Sequence, residues 1–406
     1  ASQSSTTFVY DKTSPSISSI TLSWGTVLNA TEDNNNGTVT VATSGVEDGQ
    51  TVTLGLNSRT YTGSVSSNSV SITISATRLQ ELVDGTTYTI TADVSDVAGN
   101  AATQSSTTFT YDKSAPSISS ITPSWGSYLN ATEDNSSGTV TVVTSGVEDA
   151  QTLTITLNAT NYTGSISSNS VTITISATDL QALSEGTNTI TANVSDAAGN
   201  AASQSSTTFT YDKTSPSITS ITPSWGSHLN ATEDNSSGTV TVVTSGVEDG
   251  QTVTVGLNGT NYTGSVSSNS VTVTISATDL QALSEGTNTI TADVSDIAGN
   301  AASQSSTTFV YDKTSPSISS ITLSWGTVLN ATEDNNNGTV TVATSGVEDG
   351  QTVTLGLNSR TYTGSVSSNS VSITISAAKL QELVDGTTYT ITADVNDVAG
   401  LSLIHI

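Results

Sequence analysis

The 406 residues include no cysteine and no methionine, so disulfide frameworks and thiol chemistry are excluded. Positive charge is scarce, because 8 Lys and Arg stand against 35 Asp and Glu, a formal net charge of -27. Nucleic acid and anionic membranes both bind through clustered Lys and Arg, so neither is an expected partner. No apolar run approaches the ~18 residues of a membrane span, and no signal peptide is visible. The acidic excess instead favours cations.

Histidine is too scarce and too irregularly placed to indicate catalysis. His228 and His405 do not stand at equivalent positions of the sequence, which argues against a catalytic triad or a zinc site. Adjacent Glu-Asp pairs on small loops supply no cleft between two carboxylates, which glycoside hydrolysis requires. The sequence therefore predicts a protein that is not an enzyme.

An internal repeat dominates what the sequence does contain. The Tyr-Asp-Lys of 10–12 returns at 111–113, 211–213 and 311–313, a period of 100 or 101 residues that suits an independent domain. A proline soon after each Tyr-Asp-Lys marks a linker. We therefore place four domains, called repeats 1 to 4, at 14–113, 114–213, 214–313 and 314–406. Residues 1–13 read as the final strand of a preceding repeat. Repeat 4 lacks the sequence of a last strand, and residues 401–406 match nothing in the repeat.

Each repeat shows the period-2 alternation of Thr with Val or Ile that is typical of half-buried strands. In repeat 2 the pattern predicts seven strands, with a helical turn over Asp179–Leu183 between the fifth and sixth; the strands are 117–122, 139–144, 152–157, 162–167, 171–176, 187–194 and 206–211. Seven short strands in about 100 residues indicate an immunoglobulin-like sandwich. The predicted fold class is all-β, with four tandem Greek-key β-sandwich domains in an extended rod.

Acidic residues cluster in the loops between these strands. In a seven-strand sandwich the second and sixth loops share one pole, which we call the upstream pole, and the first and fifth share the opposite, downstream pole. Glu148-Asp149 and Asp196–Asn200 therefore share the upstream pole of repeat 2, and Asp112 reaches it from the linker. Glu32-Asp33 lie on the downstream pole of repeat 1. Carboxylates and amides so gathered are the hard oxygen ligands that Ca²⁺ prefers. The alternative is that these acids only solvate turns, where Asp and Asn are common.

Five recurring motifs carry a resemblance to a known family: Tyr-Asp-Lys-x-x-Pro, Ser-Trp-Gly, Ala-Thr-Glu-Asp-Asn, Ser-Gly-Val-Glu-Asp and Val-Ser-Asp-x-Ala-Gly-Asn. Together they resemble the bacterial immunoglobulin-like extender repeats of giant repeat-in-toxin adhesins, including those of ice-binding adhesins. The resemblance covers nearly the whole chain. It implies a type I secreted, cell-surface protein whose repeats hold a distal binding domain away from the cell, with Ca²⁺ bound at the linkers.

The resemblance carries two aspartates per junction onto this sequence, and the pole argument adds the remaining candidates. From the family come Asp11, Asp112, Asp212 and Asp312 of the linkers, and Asp96, Asp196, Asp296 and Asp397 of the Asp-x-Ala-Gly-Asn loop. The amides of that loop are Asn100, Asn200 and Asn300, with Leu401 in the fourth place. The remaining candidates are the acidic pairs Glu32, Asp33, Glu47, Asp48, Glu133, Asp134, Glu148, Asp149, Glu233, Asp234, Glu248, Asp249, Glu348 and Asp349.

Two functions remain open at this point. The chain is expected to be a Ca²⁺-stiffened extender segment of a surface adhesin, a monomer whose partners are the neighbouring repeats of a longer chain. The alternative is that the repeats are themselves multivalent binding modules for a glycan, ice or protein, because near-identity between repeats also suits avidity.

Overall fold

A computed structural model describes residues 3–405 and shows an all-β chain. It divides into two compact units, Ala1–Asp212 and Lys213–Ile406, which are described separately. Among the described residues, no helix is long and apolar enough to cross a membrane. The boundaries of the four repeats stay predictions, and the names are kept for reference.

Repeat 1 folds into two packed sheets. Its elements are β1 (Ser16–Leu22), β2 (Val27–Leu28), a 3-10 turn (Glu32–Asn34), β3 (Gly37–Ser44), β4 (Thr51–Leu56), β5 (Arg59–Ser64), β6 (Ser69–Ile74), α1 (Ala76–Leu79), β7 (Thr86–Asp93) and β8 (Ser105–Tyr111). One sheet has the order β1-β3-β6 and the other β2-β8-β7-β4-β5. The first strand thus changes sheet at β2, which pairs in parallel with β8.

Repeat 2 has the same arrangement. Its elements are β9 (Ser117–Pro123), β10 (Tyr128–Leu129), a 3-10 turn (Glu133–Asn135), β11 (Gly138–Ser145), β12 (Thr152–Leu157), β13 (Thr160–Ser165), β14 (Ser170–Ile175), α2 (Ala177–Gln181), β15 (Gly186–Asn193) and β16 (Ser205–Tyr211). The predicted strands recur within two residues, and 152–157 is unchanged. β13 pairs with β12, so the fourth strand belongs to the second sheet. In a constant-type immunoglobulin domain, by contrast, the fourth strand belongs to the first sheet.

Repeat 3, in the second unit, repeats this plan. Its elements are β17 (Ser217–Pro223), β18 (His228–Asn230), a 3-10 turn (Glu233–Asn235), β19 (Gly238–Ser245), β20 (Thr252–Leu257), β21 (Thr260–Ser265), β22 (Ser270–Ile275), α3 (Ala277–Gln281), β23 (Gly286–Asp293) and β24 (Ser305–Asp312).

Repeat 4 is shorter in its second sheet. Its elements are β25 (Ser317–Leu323), β26 (Gly338–Ser345), β27 (Thr352–Leu357), β28 (Arg360–Ser365), β29 (Ser370–Ile375), α4 (Ala377–Leu380), β30 (Thr392–Asn396) and β31 (Ser402–His405). The prediction that repeat 4 has no last strand is wrong, because β31 pairs antiparallel with β30. A ladder of backbone hydrogen bonds needs no particular side chain, so an off-pattern sequence can form it.

The assignment of residues 1–13 to the final strand of a preceding repeat stays a prediction. Residues 1 and 2 lie outside the described residues, and 3–13 contain no strand. Phe8, Val9 and Tyr10 are exposed, whereas the same motif in β24 buries Phe309 and Tyr311. A strand needs a neighbouring ladder for its backbone groups, and none is present for this segment.

Each repeat buries its own core of alternating strand residues around one tryptophan. In repeat 1 the Trp24 ring packs edge-on against Phe109 with 5.4 Å between ring centroids. The ring also lies so close to Gly37 that a Cβ there would overlap Trp24 Cζ3. In repeat 4, Trp325 is only partly buried.

Candidate functional site at the repeat junctions

The loop that carries Asp-x-Ala-Gly-Asn folds around its aspartate. In repeat 2 the backbone N–H of Asn200 donates to Asp196 Oδ1 at 2.8 Å, and its side-chain Nδ2 donates to Oδ2 at 3.0 Å. Gly199 adopts a φ of +90°, a left-handed conformation that glycine tolerates without strain. Asp96 with Asn100 and Asp296 with Asn300 form the same pair of bonds. All three aspartates are buried.

A second acid meets this loop at the upstream pole. Glu148 Oε2 accepts the N–H of Ala197 at 2.8 Å, and Glu47, Glu248 and Glu348 make the same contact in their own repeats. The predicted meeting of these two loops is therefore what the structure shows. In repeat 1, Asp11 and Glu47 also line an open cleft of about 340 Å³.

The charges of both acids act on the linker aspartate. Burial raises the pKa of Asp112 above its usual range, and the negative charges of Asp196, Asp84 and Glu148 raise it further against the lowering effect of the Ser114 N–H bond. Burial likewise raises the pKa of Asp397, with additional contributions from Asp312 and Glu348. In both junctions that lie within one unit, between repeats 1 and 2 and between repeats 3 and 4, further carboxylates thus add to the raised pKa of one aspartate.

Hydrogen bonds connect repeat 1 directly to repeat 2. The side-chain Nδ2 of Asn29, beside the downstream pole of repeat 1, donates to the carbonyl of Ala198 at 2.9 Å. The N–H of Ala30 donates to Asn200 Oδ1 at 2.9 Å. Asn200 Nδ2 also donates to the linker carbonyl of Asp112 at 3.0 Å. The Ala-Gly-Asn loop of one repeat is therefore seated on the Asn-Ala turn of the repeat before it.

The junction between repeats 3 and 4 keeps half of this arrangement. Asn230 Nδ2 donates to the carbonyl of Ala399 at 2.7 Å. Leu401 stands in the place of Asn200 and has no side-chain amide, so none of the three side-chain bonds of Asn200 can form. Asp397 Oδ1 still accepts the N–H of Leu401 at 2.8 Å, but the buried Asp397 Oδ2 has no hydrogen-bond partner.

The linker is also fixed by acids that the sequence analysis missed. Asp84 Oδ1 accepts the N–H of Lys113 at 2.7 Å, and Asp84 Oδ2 accepts the hydroxyl of Ser114 at 2.5 Å. These bonds, the Ser114 bond first, lower the pKa of Asp84. Glu285 accepts the corresponding bonds from Lys313 and Thr314 in repeat 3. The sequence offered one signal for these two acids. Each stands just before the sixth predicted strand of its repeat, and the repeat period gives the position of the linker that it contacts.

The remaining predicted ligands are bonded inside their own repeats. Glu32 Oε2 accepts the N–H of Asn29 at 3.1 Å, and Asp48 Oδ1 accepts the N–H of Ser67 at 2.7 Å. The same two bonds recur at Glu133, Glu233, Asp149, Asp249 and Asp349.

Three predicted ligands are interior residues. Asp33, Asp134 and Asp234 are buried, and each accepts a hydrogen bond from a buried tyrosine hydroxyl. The sequence predicts these aspartates among the junction ligands, whereas the structure places them in the interior. Each lies there because the buried tyrosine hydroxyl requires an acceptor nearby.

No metal cage is already assembled. Within residues 3–405, no three His, Asp or Glu side chains are grouped so that they could hold a metal ion. The structure therefore shows a concentration of negative charge at the junctions rather than a closed coordination shell.

Comparison with known proteins finds likeness only among solved structures. No family model matches the chain, and no curated protein does. A Ca²⁺-stabilized adhesin that helps an Antarctic bacterium reach out and bind ice is 24% identical, with a TM-score of 0.39 and 97% of each chain covered. A 1.5-MDa bacterial ice-binding adhesin is 24% identical, with a TM-score of 0.40, over 71% of this chain and 95% of its own.

A third similar structure is a tetra-tandem repeat from the extending region of a large adhesion protein. It is 20% identical, with a TM-score of 0.35, and 95% of this chain and 97% of that one are covered. The predicted resemblance to adhesin repeats is therefore confirmed as a likeness. Because these TM-scores are low, the description of the fold rests on the strand pairing above.

Proposed function

We propose that the chain is a structural extender segment of a bacterial cell-surface adhesin, in which repeat 1 is held directly against repeat 2, and repeat 3 against repeat 4. The observation that carries this proposal is the seating of Ala198 and Asn200 of repeat 2 on Asn29 and Ala30 of repeat 1. A free linker would let adjacent domains swing, whereas hydrogen-bonded loops limit their relative motion. Direct contact of this kind is what a spacer that must hold its direction needs.

We further propose that Ca²⁺ stiffens the junctions. The residues that would hold it between repeats 1 and 2 are Asp112, Glu148 and Asp196; burial first, and then the charges of the other two, raise the pKa of Asp112. The corresponding residues between repeats 3 and 4 are Asp312, Glu348 and Asp397, and the last has a buried oxygen with no partner. Ca²⁺ accepts carboxylate, amide and carbonyl oxygens in flexible geometry, so this donor set suits it. When bound, it would neutralise carboxylates that otherwise repel each other.

The test is small-angle X-ray scattering and thermal unfolding of the 406-residue chain, with calcium and then with chelator. We expect calcium to raise the melting temperature and to narrow the range of angles between neighbouring repeats. Glu148→Gln with Glu348→Gln should remove most of this response.

The matched control is Asp93→Asn, which removes an acid that bonds Gln104 on the sheet, outside both junctions. It should leave the calcium response unchanged. A melting temperature and scattering profile that are the same in calcium and in chelator would contradict the calcium proposal.

A further inference from the structure

The amide of Asn200 is used completely, and its partners belong to three different parts of the chain. Its Nδ2 donates to Asp196 Oδ2 in its own loop and to the Asp112 carbonyl in the linker. Its Oδ1 accepts the N–H of Ala30 in repeat 1. The side chain is buried, with 5% of its surface exposed. A buried amide with all its groups bonded holds its neighbours in one geometry, because moving any of them leaves a buried polar group unpaired.

Asn29 completes the contact from the other side. Its Oδ1 accepts the N–H groups of Thr31 and Glu32, which fixes the side chain, and its Nδ2 then points to the Ala198 carbonyl. The loop must approach closely here, because a Cβ on Gly199 would lie 3.3 Å from Asn29 Nδ2. In one bond across the junction, a side-chain amide of repeat 1 donates to the main chain of repeat 2. In the other, a main-chain N–H of repeat 1 donates to a side-chain amide of repeat 2.

We propose that Asn200 is a positioning residue that locks repeat 2 against repeat 1 without a metal ion. The bonds across the junction join neutral groups, so none of them requires a cation. Calcium at the neighbouring carboxylates would add stiffness to an orientation that these bonds already select. Because the lock requires no calcium, it can be tested separately from the calcium proposal.

Repeat 4 offers a comparison within the same chain. Leu401 replaces the asparagine, so of the two loop-to-turn bonds made by Asn29 and Ala30, the junction between repeats 3 and 4 retains the one from Asn230 to Ala399. The buried Asp397 Oδ2 loses the donor that Asp196 Oδ2 has. By this logic, the junction between repeats 3 and 4 is the looser of the two.

The experiment measures the distance between repeats 1 and 2 by electron paramagnetic resonance in the full chain. The chain has no cysteine, so Thr73→Cys with Thr174→Cys gives two unique spin labels on exposed positions of the two repeats. In chelator, we expect one narrow distance distribution. Asn200→Leu should raise the ratio of other conformers to the locked one at least about fivefold, the factor that corresponds to the loss of roughly 1 kcal/mol.

Two variants separate positioning from folding. Asn29→Ser keeps a side-chain oxygen for the turn but removes the donor to Ala198, and it should also broaden the distribution. Asn330→Ser makes the same change to an equivalent turn in repeat 4, where Thr332 and Glu333 donate to Asn330 Oδ1, and it should have no effect on the labelled pair. Labels at Thr163 and Thr174, both in repeat 2, should keep their distance in Asn200→Leu.

The outcomes distinguish the two proposals. Glu148→Gln should remove the effect of calcium and leave the narrow distribution in chelator, if Asn200 locks the junction by itself. A wild-type distribution that is already broad in chelator, or one that Asn200→Leu leaves unchanged, would overturn the lock and leave the calcium proposal standing. Loss of the Thr163 to Thr174 distance in Asn200→Leu would assign the residue to the fold of repeat 2 and likewise overturn it.

Discussion

The hydroxyl of Tyr111 donates a 2.6 Å hydrogen bond to Asp33 Oδ2, and both side chains are buried. Tyr111 ends β8 and directly precedes the linker, while Asp33 lies in the 3-10 turn that follows Asn29. The bond therefore ties the start of the linker to the loop on which repeat 2 is seated. Tyr211 with Asp134 and Tyr311 with Asp234 form the same pair.

Replacing Tyr111 with Phe should destabilise repeat 1, because the buried Asp33 Oδ2 loses its hydrogen-bond donor. Leaving a buried polar group unpaired costs about 1–3 kcal/mol. Hydrogen exchange read by mass spectrometry on peptides of repeat 1 should show the loss of protection. Tyr10→Phe is the matched control, because Tyr10 has the same Tyr-Asp-Lys motif but is 73% exposed. Equal protection in the two variants would mean that the bond contributes nothing to stability.

Alkaline pH should unfold repeats 1 to 3 through the same tyrosines. Burial first, and then the bond to Asp234, raises the pKa of Tyr311 to about 12, whereas an unfolded tyrosine ionises near pH 10. Between these values the unfolded state binds fewer protons than the folded one, so stability falls as pH rises. Tyr311→Phe should flatten this fall for repeat 3, as read by hydrogen exchange or by denaturant unfolding across that range. An unchanged slope in the variant would show that other groups carry the alkaline transition.

Period-2 alternation was sufficient to place the strands, because each strand buries one face. The pattern predicts the fourth strand of repeat 2 at 162–167, two residues later than β13. The difference arises because Asn158 and Ala159 adopt the positive φ values of a two-residue hairpin turn, and β13 begins directly after them. β10 has only two residues, Tyr128 and Leu129, and a segment so short has no periodicity. Its pairing depends on where β16 lies, which only the assembled sheet decides.

The sequence was sufficient to predict which loops meet at the site, but not which carboxylate oxygens lie there. Strand order alone brought the loops of Glu148 and Asp196 to one pole, and the structure agrees. Which acids are interior depends on a partner distant in sequence, as Asp33 depends on Tyr111. The inward alternation of Phe109 and Tyr111 in β8 was a usable signal, because a buried tyrosine hydroxyl needs an acceptor.

Replacing Gly37 with Ala should weaken the packing of the tryptophan. The new Cβ would overlap the Trp24 ring and lie 3.1 Å from Leu79 Cδ1, and both neighbours are buried. Forcing an extra methyl into a packed core typically costs about 1–3 kcal/mol. Denaturant unfolding followed by tryptophan fluorescence should show an earlier transition. Gly55→Ala is the milder comparison, because its Cβ meets only the hydroxyl end of Thr91. A larger loss for Gly55→Ala would contradict the packing argument.

Replacing Leu401 with Asn should stabilise repeat 4 at neutral pH and reverse its acid dependence. Burial, together with the charges of Asp312 and Glu348, raises the pKa of Asp397 above 3.8. The stability that this group contributes is therefore present below 3.8 and is lost as pH rises through its folded pKa. The introduced amide would supply the missing donor to Oδ2, as Asn100 does for Asp96, whose pKa that bond lowers. The contribution would then be present above 3.8 and lost as pH falls.

The expected gain at neutral pH is about 1–3 kcal/mol, the usual worth of a hydrogen bond to a charged group together with the relief of a buried unpaired oxygen. Leu401 is buried, although it lies outside the hydrophobic cluster of repeat 4, so the loss of its packing offsets part of this gain. Hydrogen exchange of repeat 4 peptides, compared at neutral and at acidic pH, should show that the advantage of Leu401→Asn shrinks in acid. Asn100→Leu should produce the opposite change in repeat 1. An advantage of Leu401→Asn that is independent of pH would mean that the new amide acts without touching the charge of Asp397.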